Sequence, residues 1–242
     1  MADKIIIIPT YNEKENIEAI IRAIFYENKE FDILIVDDNS SDGTINIVEK
    51  LQKEFEGRLH LQVRKEKNGL GQAYIHGFIW VLEKEYAYIF EMDADFSHNP
   101  ADLIRLYEAC QTNDVAIGSR YSNGVNVVNW PIYRVLLSYF ASKYVGWITG
   151  LPIHDTTAGF ICYKRNVLES IPLKKINCSG YLFQIKMKYI AWKKGFKIKE
   201  IPIIFTDRVA GSSKMSSKII TEALWGVLCI KIQSLFKKTK IR

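Results

Sequence analysis

The 242-residue chain has few of the residues that form disulfides or bind transition metals: it contains four cysteines and four histidines. The cysteines are scattered without a CxxC pair, which is typical of a reduced cytoplasmic protein and excludes the usual zinc-site patterns. The histidines lack HExxH and HxxxH spacing, and the chain has no GxSxG or GK[ST] motif. The common metalloprotease, serine-hydrolase and P-loop signatures are therefore absent.

Long apolar runs are also missing. A membrane span needs about 18 consecutive apolar residues, and the nearest candidate, residues 130–151, contains Arg134 and Lys143. The apolar run in the N-terminal MADKIIIIPT is so short that we expect no signal peptide. Composition is otherwise that of a globular protein, with 48% hydrophobic and 25% charged residues. The net charge of +6 arises from residues 201–242, so the C-terminal end fits either contact with anionic groups or, for its last few residues, a solvated basic tail.

Short β-branched runs alternate with segments of helical periodicity in the first half of the chain. Strands are predicted for 4–8, 31–36, 59–64 and 86–92, and helices for 12–25, 44–55 and 72–84, the first helix capped by Asn12 and Glu15. In the second half, strands are predicted for 115–119, 159–163 and 198–206, and helices for 132–151, 179–193 and 216–236. This order indicates an α/β fold with a mostly parallel, Rossmann-like sheet flanked by helices. Residues 1–215 are expected to form one domain and residues 216–242 a basic amphipathic helix.

Three polar clusters follow predicted strands, at residues 9–13, 37–42 and 93–97. In parallel sheets ligands bind beyond the carboxyl ends of the strands, so these clusters predict one site. Asp93 and Asp95 supply oxygen ligands that suit Mg²⁺ or Mn²⁺ with a substrate phosphate; the alternative is a solvated acidic turn. A carboxylate at Asp37 or Asp38 can accept hydrogen bonds from a ribose or a base; the alternative is an Asx turn that caps the next helix, a role that Asp42 also suits.

Loops with basic residues are candidates for binding a diphosphate. Arg120, Arg208 and Lys214 are placed on such loops, and Arg134 lies near the start of an apolar helix, where its side chain could instead reach along the surface to solvent. The NGLG segment at residues 68–71 fits either an anion site at a helix start or tight packing of the helix on a strand. The aromatic residues do not interleave with the basic ones, so nucleic acid is not an expected partner.

Taken together, the segments IPTYNEKENI, IVDDNSSDGT, NGLGQAYIHG, MDADFSHNP, IGSRY, GYLFQI and DRVAGSSKM resemble the polyprenyl-phosphate mannosyltransferases, the dolichol-phosphate-mannose synthase group of glycosyltransferase family 2. They occur in the family's order over residues 5–215. The resemblance implies a GT-A catalytic domain that transfers mannose, with inversion, from GDP-mannose to a polyprenyl phosphate with the help of Mg²⁺ or Mn²⁺. It also implies a protein held peripherally on the cytoplasmic face of a membrane, and some soluble members of the family have a small membrane-embedded partner subunit.

The resemblance further implies roles for matching residues. Three groups of nucleotide-binding, metal-binding and phosphate-binding residues are expected: Pro9, Tyr11, Glu13, Val36 and Asp38 at the nucleotide; Asp93 and Asp95 at the metal, with Ala94 beside the donor; and Arg120, Arg134, Arg208 and Lys214 at the phosphates. Of these, Asp95, Arg120, Arg208 and Lys214 are expected to be catalytic. Because the acceptor is already an anion, no strong general base is needed.

Two positions depart from the family pattern. Ser97 stands where some relatives have a metal-binding Gln, and Lys186 stands where relatives usually have an acidic residue in GYxFQxE. Two alternatives therefore stay open: a family 2 transferase with another nucleotide sugar or acceptor, and a catalytically impaired protein that binds a sugar nucleotide. Residues 130–151 and the last helix are candidates for membrane contact or for packing on the protein itself.

Overall fold

A computed structural model describes residues 3–27, 29–66, 69–178, 180–207 and 217–238, with the side chains of the last segment described for 221–234. The strands are β1 (Lys4–Thr10), β2 (Phe31–Asp37), β3 (Leu59–Val63), β4 (Tyr88–Glu91), β5 (Val115–Ser119), β6 (Val127–Val128), β7 (Ile161–Lys164), β8 (Ile198–Pro202) and β9 (Phe205–Thr206). The helices are α1 (Ile17–Glu27), α2 (Thr44–Glu54), α3 (Leu70–Leu82), α4 (Asp102–Thr112), α5 (Ile132–Thr149), α6 (Arg165–Ser170), α7 (Gly180–Lys193) and α8 (Ser217–Lys238), with a 3₁₀ turn at Leu173–Lys175.

The main sheet has the strand order β3-β2-β1-β4-β7-β5-β8. Neighbouring strands are parallel except β7, which is antiparallel to both β4 and β5. The prediction of a mostly parallel sheet flanked by helices is therefore confirmed. A short parallel pair, β6 with β9, forms a second sheet.

The central strand β1 is buried on both faces, as expected for a parallel sheet between two helical layers. Ile5 and Ile7 join the core that includes α3, α6 and α7, whereas Ile6 and Ile8 join the core that includes α1, α2 and α4. All four isoleucines are fully buried. The alternating direction of side chains along one strand thus connects both layers.

A third apolar cluster joins α5, α7 and α8 beside the main domain. Val145 of α5 packs with Ile185 and Tyr189 of α7 and with Val227 and Ile230 of α8. The C-terminal helix is therefore packed on the protein's own helices, while Leu224 and Trp225 stay exposed.

Three predictions of elements were wrong. The first helix begins at Ile17 rather than at residue 12, and Asn12 does not cap it: its backbone has a φ of 55° and its side chain accepts a hydrogen bond from the Ser41 N–H. The segment 198–206 forms two strands in different sheets rather than one. No helix was predicted where α4 lies.

Candidate functional site

The carboxyl ends of β1 and β2 are joined by a buried hydrogen-bond cluster around Asp37. Thr10 Oγ1 donates to Asp37 Oδ2 at 2.6 Å, and the N–H and hydroxyl of Ser40 donate to the same carboxylate. The Asp38 N–H donates to the Thr10 carbonyl. Asp37 therefore fixes the loop on which Asp38 lies. The sequence alone did not distinguish this structural role of Asp37 from the binding role predicted for Asp38.

The loop after β1 positions Tyr11 and Glu13 beside the β2 loop. The Glu13 N–H donates to Thr44 Oγ1 at 3.0 Å, and the Asn12 N–H donates to Ser40 Oγ at 2.8 Å. Tyr11 and Glu13 are half-buried at this edge of the sheet. The predicted nucleotide-binding cluster at residues 9–13 therefore lies where parallel-sheet ligands bind.

Asp42 confirms the alternative interpretation of its cluster as an Asx turn. Its Oδ1 accepts from the N–H and the hydroxyl of Thr44, the first residue of α2. Because its carboxylate caps a helix, Asp42 has a structural role.

Asp38 is paired with Arg64, which follows β3. The Arg64 Nη1 lies 2.6 Å from Asp38 Oδ1, and both side chains are about nine-tenths buried, with relative exposures of 10% and 7%. Val36 is fully buried within β2. Arg64 was not among the predicted site residues, because a single Arg after a strand carries no motif of its own.

The strand β4 leads into the turn that holds Asp93 and Asp95. Phe96 in this turn has a φ of 60°, a strained conformation for a bulky side chain. The Ser97 N–H donates to Asp95 Oδ1 at 3.1 Å, and the Asp93 N–H donates to His98 Nδ1 at 3.3 Å. The turn therefore folds the chain back on the Asp95 carboxylate and on the backbone of Asp93.

His98 connects this turn with the other half of the site. Its ring stacks on Phe160 at a centroid distance of 4.8 Å and meets the Phe205 ring edge-on. Burial lowers the pKa of His98 to about 4, and the charges of Asp95, Arg120 and Asp155 also act on it. The histidine is thus neutral near pH 7.

Arg120 is buried in an ion pair rather than open at the surface of a loop. Its Nε and Nη2 donate to the two oxygens of Asp155 at 2.7 and 2.6 Å, and Nη2 also donates to Thr157 Oγ1. Aromatic rings surround the guanidinium, with centroids 5.3–5.6 Å away, from Tyr121, Trp130 and Phe205. Asp155 balances the charge of Arg120. Contact of Arg120 with a phosphate stays a prediction.

Arg134 lies at the mouth of an apolar groove between α5, α7 and α8. Its guanidinium is 4.0 Å from the centroid of the Trp130 ring and donates to Asp207 Oδ1 at 3.1 Å. The groove has a cavity volume of about 70 Å³. Its walls are mainly apolar and include Leu137, Tyr144, Val145, Tyr181, Ile185 and Leu224. Because Thr157 also lines the groove, the groove reaches the Arg120 ion pair.

Three basic residues that the sequence singled out are not part of the site described above. Arg208 and Lys214 lie outside the described residues. Lys186 is two positions from Gln184 and from Lys188 on α7, so it lies on a different face of that helix from these two buried residues. Burial raises the pKa of Cys178 to about 11 and Lys186 opposes this rise, which indicates that Lys186 lies near Cys178.

The donor groups at Asp93 and Asp95 fit a hard divalent cation. Two carboxylates at a strand end suit Mg²⁺ or Mn²⁺, which usually take their remaining ligands from water and substrate phosphates. The buried hydroxyl of Ser97 has no hydrogen-bond partner among the described residues, so a further oxygen is placed beside these carboxylates. Within the described residues, no group of three or more His, Cys, Asp or Glu side chains forms a complete metal cage.

Comparisons with known proteins agree with this geometry. The model of the family "Glycosyl transferase family 2" matches residues 5–171. The chain is 44% identical over 229 residues to the polyprenol monophosphomannose synthase of Mycolicibacterium smegmatis, covering 92% of this chain and 86% of that protein. It is 42% identical over 226 residues to the undecaprenyl-phosphate mannosyltransferase of Micrococcus luteus, covering 91% and 93%.

Solved structures share the GT-A fold at low sequence identity. Glucosyl-3-phosphoglycerate synthase of Mycobacterium tuberculosis, in complex with Mn²⁺ and UDP-glucose, matches with a TM-score of 0.67 at 15% identity, covering 93% of this chain and 79% of that chain. A mannosyltransferase of Pyrobaculum calidifontis, in complex with GDP-mannose and Mn²⁺, matches with a TM-score of 0.57 at 17% identity, covering 99% and 76%.

Proposed function

Because the chain belongs to glycosyltransferase family 2, we propose that it transfers mannose from GDP-mannose to a polyprenyl monophosphate, with inversion and with a divalent metal. The observation that carries this proposal is the apolar groove that reaches the polar site. The apolar groove between α5, α7 and α8 suits an isoprenoid chain, and Arg134, which lines it, suits the phosphate. The names of the two similar proteins support the same acceptor class and the same sugar.

The nucleotide is proposed to lie across the ends of β1 and β2. Pro9 at the end of β1 and Tyr11 and Glu13 on the following loop are proposed to contact it, and Val36 and Asp38 lie on the neighbouring strand and loop. Arg64 holds Asp38 in place through the 2.6 Å ion pair. A fixed carboxylate suits the hydroxyls of a ribose because its orientation need not be reorganised when the donor binds.

The sugar transfer is proposed to be a direct displacement. An oxygen of the acceptor phosphate attacks the anomeric carbon of mannose while the bond from that carbon to the GDP oxygen breaks, which inverts the configuration. A cation held by Asp93 and Asp95 would stabilise the negative charge on the departing diphosphate. The backbone of Ala94 lies beside the donor, and Arg208 and Lys214 remain proposed contacts of the phosphates.

Membrane association is proposed to be peripheral. In the described part of the chain no helix has both the length and the apolar character to cross a bilayer. An apolar strip on α5 is instead exposed and consists of Ile132, Tyr133, Leu136, Leu137, Phe140 and Trp147. Exposed strips of this kind mark contact surfaces, and we assign this one to the cytoplasmic face of a membrane, in line with four free cysteines. A membrane-embedded partner subunit stays a proposal drawn from the family resemblance.

Ligand binding separates this proposal from its two alternatives. Titration calorimetry with Mn²⁺ present is expected to show that GDP binds at least about tenfold more tightly than UDP. An Asp95→Ala variant is expected to lose most of the increase in GDP affinity that Mn²⁺ causes. A preference for UDP would favour a transferase of the same fold with another donor. Binding of GDP-mannose without transfer to any lipid phosphate would favour the impaired-protein alternative. NMR of the product is expected to show the β-anomer.

A further inference from the structure

Lys188 is a lysine that the proposed reaction does not use, yet it lies fully buried beside the site. Its ammonium donates to the carbonyls of Thr156 and Ala158 at 3.1 and 2.6 Å, and to the Gln184 carbonyl at 3.4 Å. Burying an ammonium is costly unless its hydrogen bonds are satisfied. The three carbonyls satisfy the ammonium, and the ammonium in turn fixes the 156–158 loop.

That loop carries the groups that hold Arg120. Asp155 accepts from the backbone N–H, Nε and Nη2 of Arg120, and Thr157 Oγ1 accepts from Nη2. Along the chain, Asp155 and Thr157 alternate with Thr156 and Ala158, whose carbonyl groups accept from Lys188. The position of the Arg120 guanidinium therefore depends on a loop that Lys188 holds through two hydrogen bonds.

The same face of α7 also reaches the strand below the metal carboxylates. Gln184, one turn before Lys188, donates from Nε2 to Glu91 Oε2, and Glu91 is the last residue of β4. Residues four apart on a helix lie on one face. One helix face thus contacts β4, which leads to Asp93, and the loop that holds Arg120.

The carboxyls around Lys188 explain why a cation is retained there. Glu91 and Asp155 are fully buried, and both act electrostatically on the lysine. Arg120 balances Asp155 through a direct ion pair. Lys188 is the second buried cation among these groups. An apolar side chain in its place would leave the carbonyls of Thr156 and Ala158 without this donor.

We propose that Lys188 is a positioning residue of the transfer reaction: it anchors the 155–158 loop so that Asp155 and Thr157 hold Arg120 at the junction of the donor site and the acceptor groove. This proposal deepens the proposed function, on which its kinetic part rests. Since the nucleotide-binding loops at β1 and β2 make no contact with Lys188 among the described hydrogen bonds, Lys188 acts on turnover rather than on nucleotide affinity.

The direct test uses the arginine Nε–H resonance of Arg120 in ¹H–¹⁵N spectra, identified by its loss in an Arg120→Lys variant. In the native protein this proton is expected to exchange with solvent slowly, because it is buried on Asp155. In Lys188→Met the exchange is expected to accelerate about tenfold or more. Lys194→Met, which removes an exposed lysine just beyond α7, is the matched control and is expected to leave the resonance unchanged.

Kinetics then decide whether the anchoring matters for the reaction. Lys188→Met is expected to lower kcat about 30-fold while the Kd for GDP stays within about threefold, and this loss is expected to shrink to threefold or less in an Asp155→Asn background. Unchanged exchange at Arg120, or the same kcat loss in both backgrounds, would overturn the proposal.

Two measurements keep the test decisive. If Lys188→Met does not fold, Lys188→Arg serves instead: its longer side chain is expected to displace the 156 and 158 carbonyls and to lower kcat at unchanged GDP affinity, and full activity would overturn the proposal. If the native protein transfers no mannose, the proposed function fails, whereas the exchange of the Arg120 proton still reports whether Lys188 positions Arg120.

Discussion

Single residues in the turn after β4 determine how the two halves of the site meet. Phe96 adopts a positive φ of 60°, which turns the chain back after Asp95. His98 then accepts the Asp93 N–H and stacks on Phe160, next to the loop that carries Asp155. The turn that carries Asp93 and Asp95 therefore meets the surroundings of the Arg120 ion pair through one neutral imidazole, because His98 and Arg120 both lie against Phe205.

The buried His98 makes the stability of the metal-free protein depend on pH. Its pKa is lowered to about 4 from an ordinary value near 6.5. As the pH falls below 6.5, the unfolded chain takes up a proton that the native protein does not bind until about pH 4. When the pH is lowered from 7 to 5, His98 is therefore expected to reduce the free energy of unfolding by about 2 kcal/mol.

Urea unfolding of the native protein and of His98→Asn at pH 7 and pH 5 measures this cost. Asparagine can still accept the Asp93 N–H but does not titrate in this range. The native protein is expected to lose about 2 kcal/mol more than the variant over this interval. Equal losses in the two proteins would contradict a neutral, buried His98.

The residues of the site that sequence could predict are those that follow strands in the first half of the chain. Asp38, Asp93 and Asp95 come directly after apolar runs, so their place at the sheet edge follows from the pattern. Asp155 and Lys188 could not be predicted in this way. Their partners lie 35 and 30 residues away, at Arg120 and Ala158, and no local spacing encodes such contacts.

At the scale of elements, α3 and α7 pack so closely that a glycine is required between them. A Cβ on Gly71 would lie 2.5 Å from the Cys178 carbonyl oxygen and 2.8 Å from Phe183 Cβ. Gly71 is therefore tightly packed, but against Cys178 and α7 rather than against a strand as the packing interpretation of the NGLG segment expected. In contrast, a Cβ on Gly146 in α5 would meet only the Leu151 carbonyl at 3.6 Å, an ordinary contact.

These two glycines are expected to respond in opposite ways to alanine. Gly71→Ala must push α3 away from backbone atoms, so it is expected to lower the free energy of unfolding by about 2 kcal/mol. Gly146→Ala gains helix propensity without a clash and is expected to raise it by about 0.5 kcal/mol. Chemical denaturation of both variants measures the difference. A stable Gly71→Ala protein would contradict the close packing of α3 on α7.

The elements themselves were predictable to different degrees. Strands β1 to β5 follow apolar runs with clear ends, and their predicted positions agree with the structure to within a few residues. The segment 198–206 is different: β8 pairs with β5, and after Ile203 the chain leaves the sheet so that β9 pairs with β6. The break between β8 and β9 depends on strands that are distant in sequence. It could not be predicted from the segment itself, which is β-prone throughout.

At the scale of the whole molecule, the exposed apolar strip of α5 lies beside the groove formed with α7 and α8. Phe140 and Trp147 in this strip are 61% and 83% exposed, which is unusual for large apolar side chains in a helix of this length. Helix α8, which packs with α5, lies in the basic C-terminal part of the sequence, residues 201–242. An anionic lipid surface fits both features.

Vesicle co-sedimentation tests this surface. A Phe140→Asp/Trp147→Asp variant is expected to bind vesicles of anionic phospholipid at least about tenfold more weakly, because its apolar strip is interrupted by charge. Tyr26→Asp is the matched control, since Tyr26 is an aromatic residue 81% exposed on α1, and it is expected to bind as the native protein does. Equal binding by all three proteins would contradict membrane contact through α5.

The most direct test of the proposed reaction is sugar transfer by the purified chain. Radiolabelled GDP-mannose, a short polyprenyl phosphate and Mn²⁺ or Mg²⁺ are incubated with the native protein or with Asp95→Ala, and mannose extracted into chloroform is counted. We predict a lipid-linked product that requires the metal and falls at least about 100-fold in Asp95→Ala. Absence of product, with UDP-sugars and membranes also supplied, would contradict the assignment of the chain as a polyprenyl-phosphate mannosyltransferase.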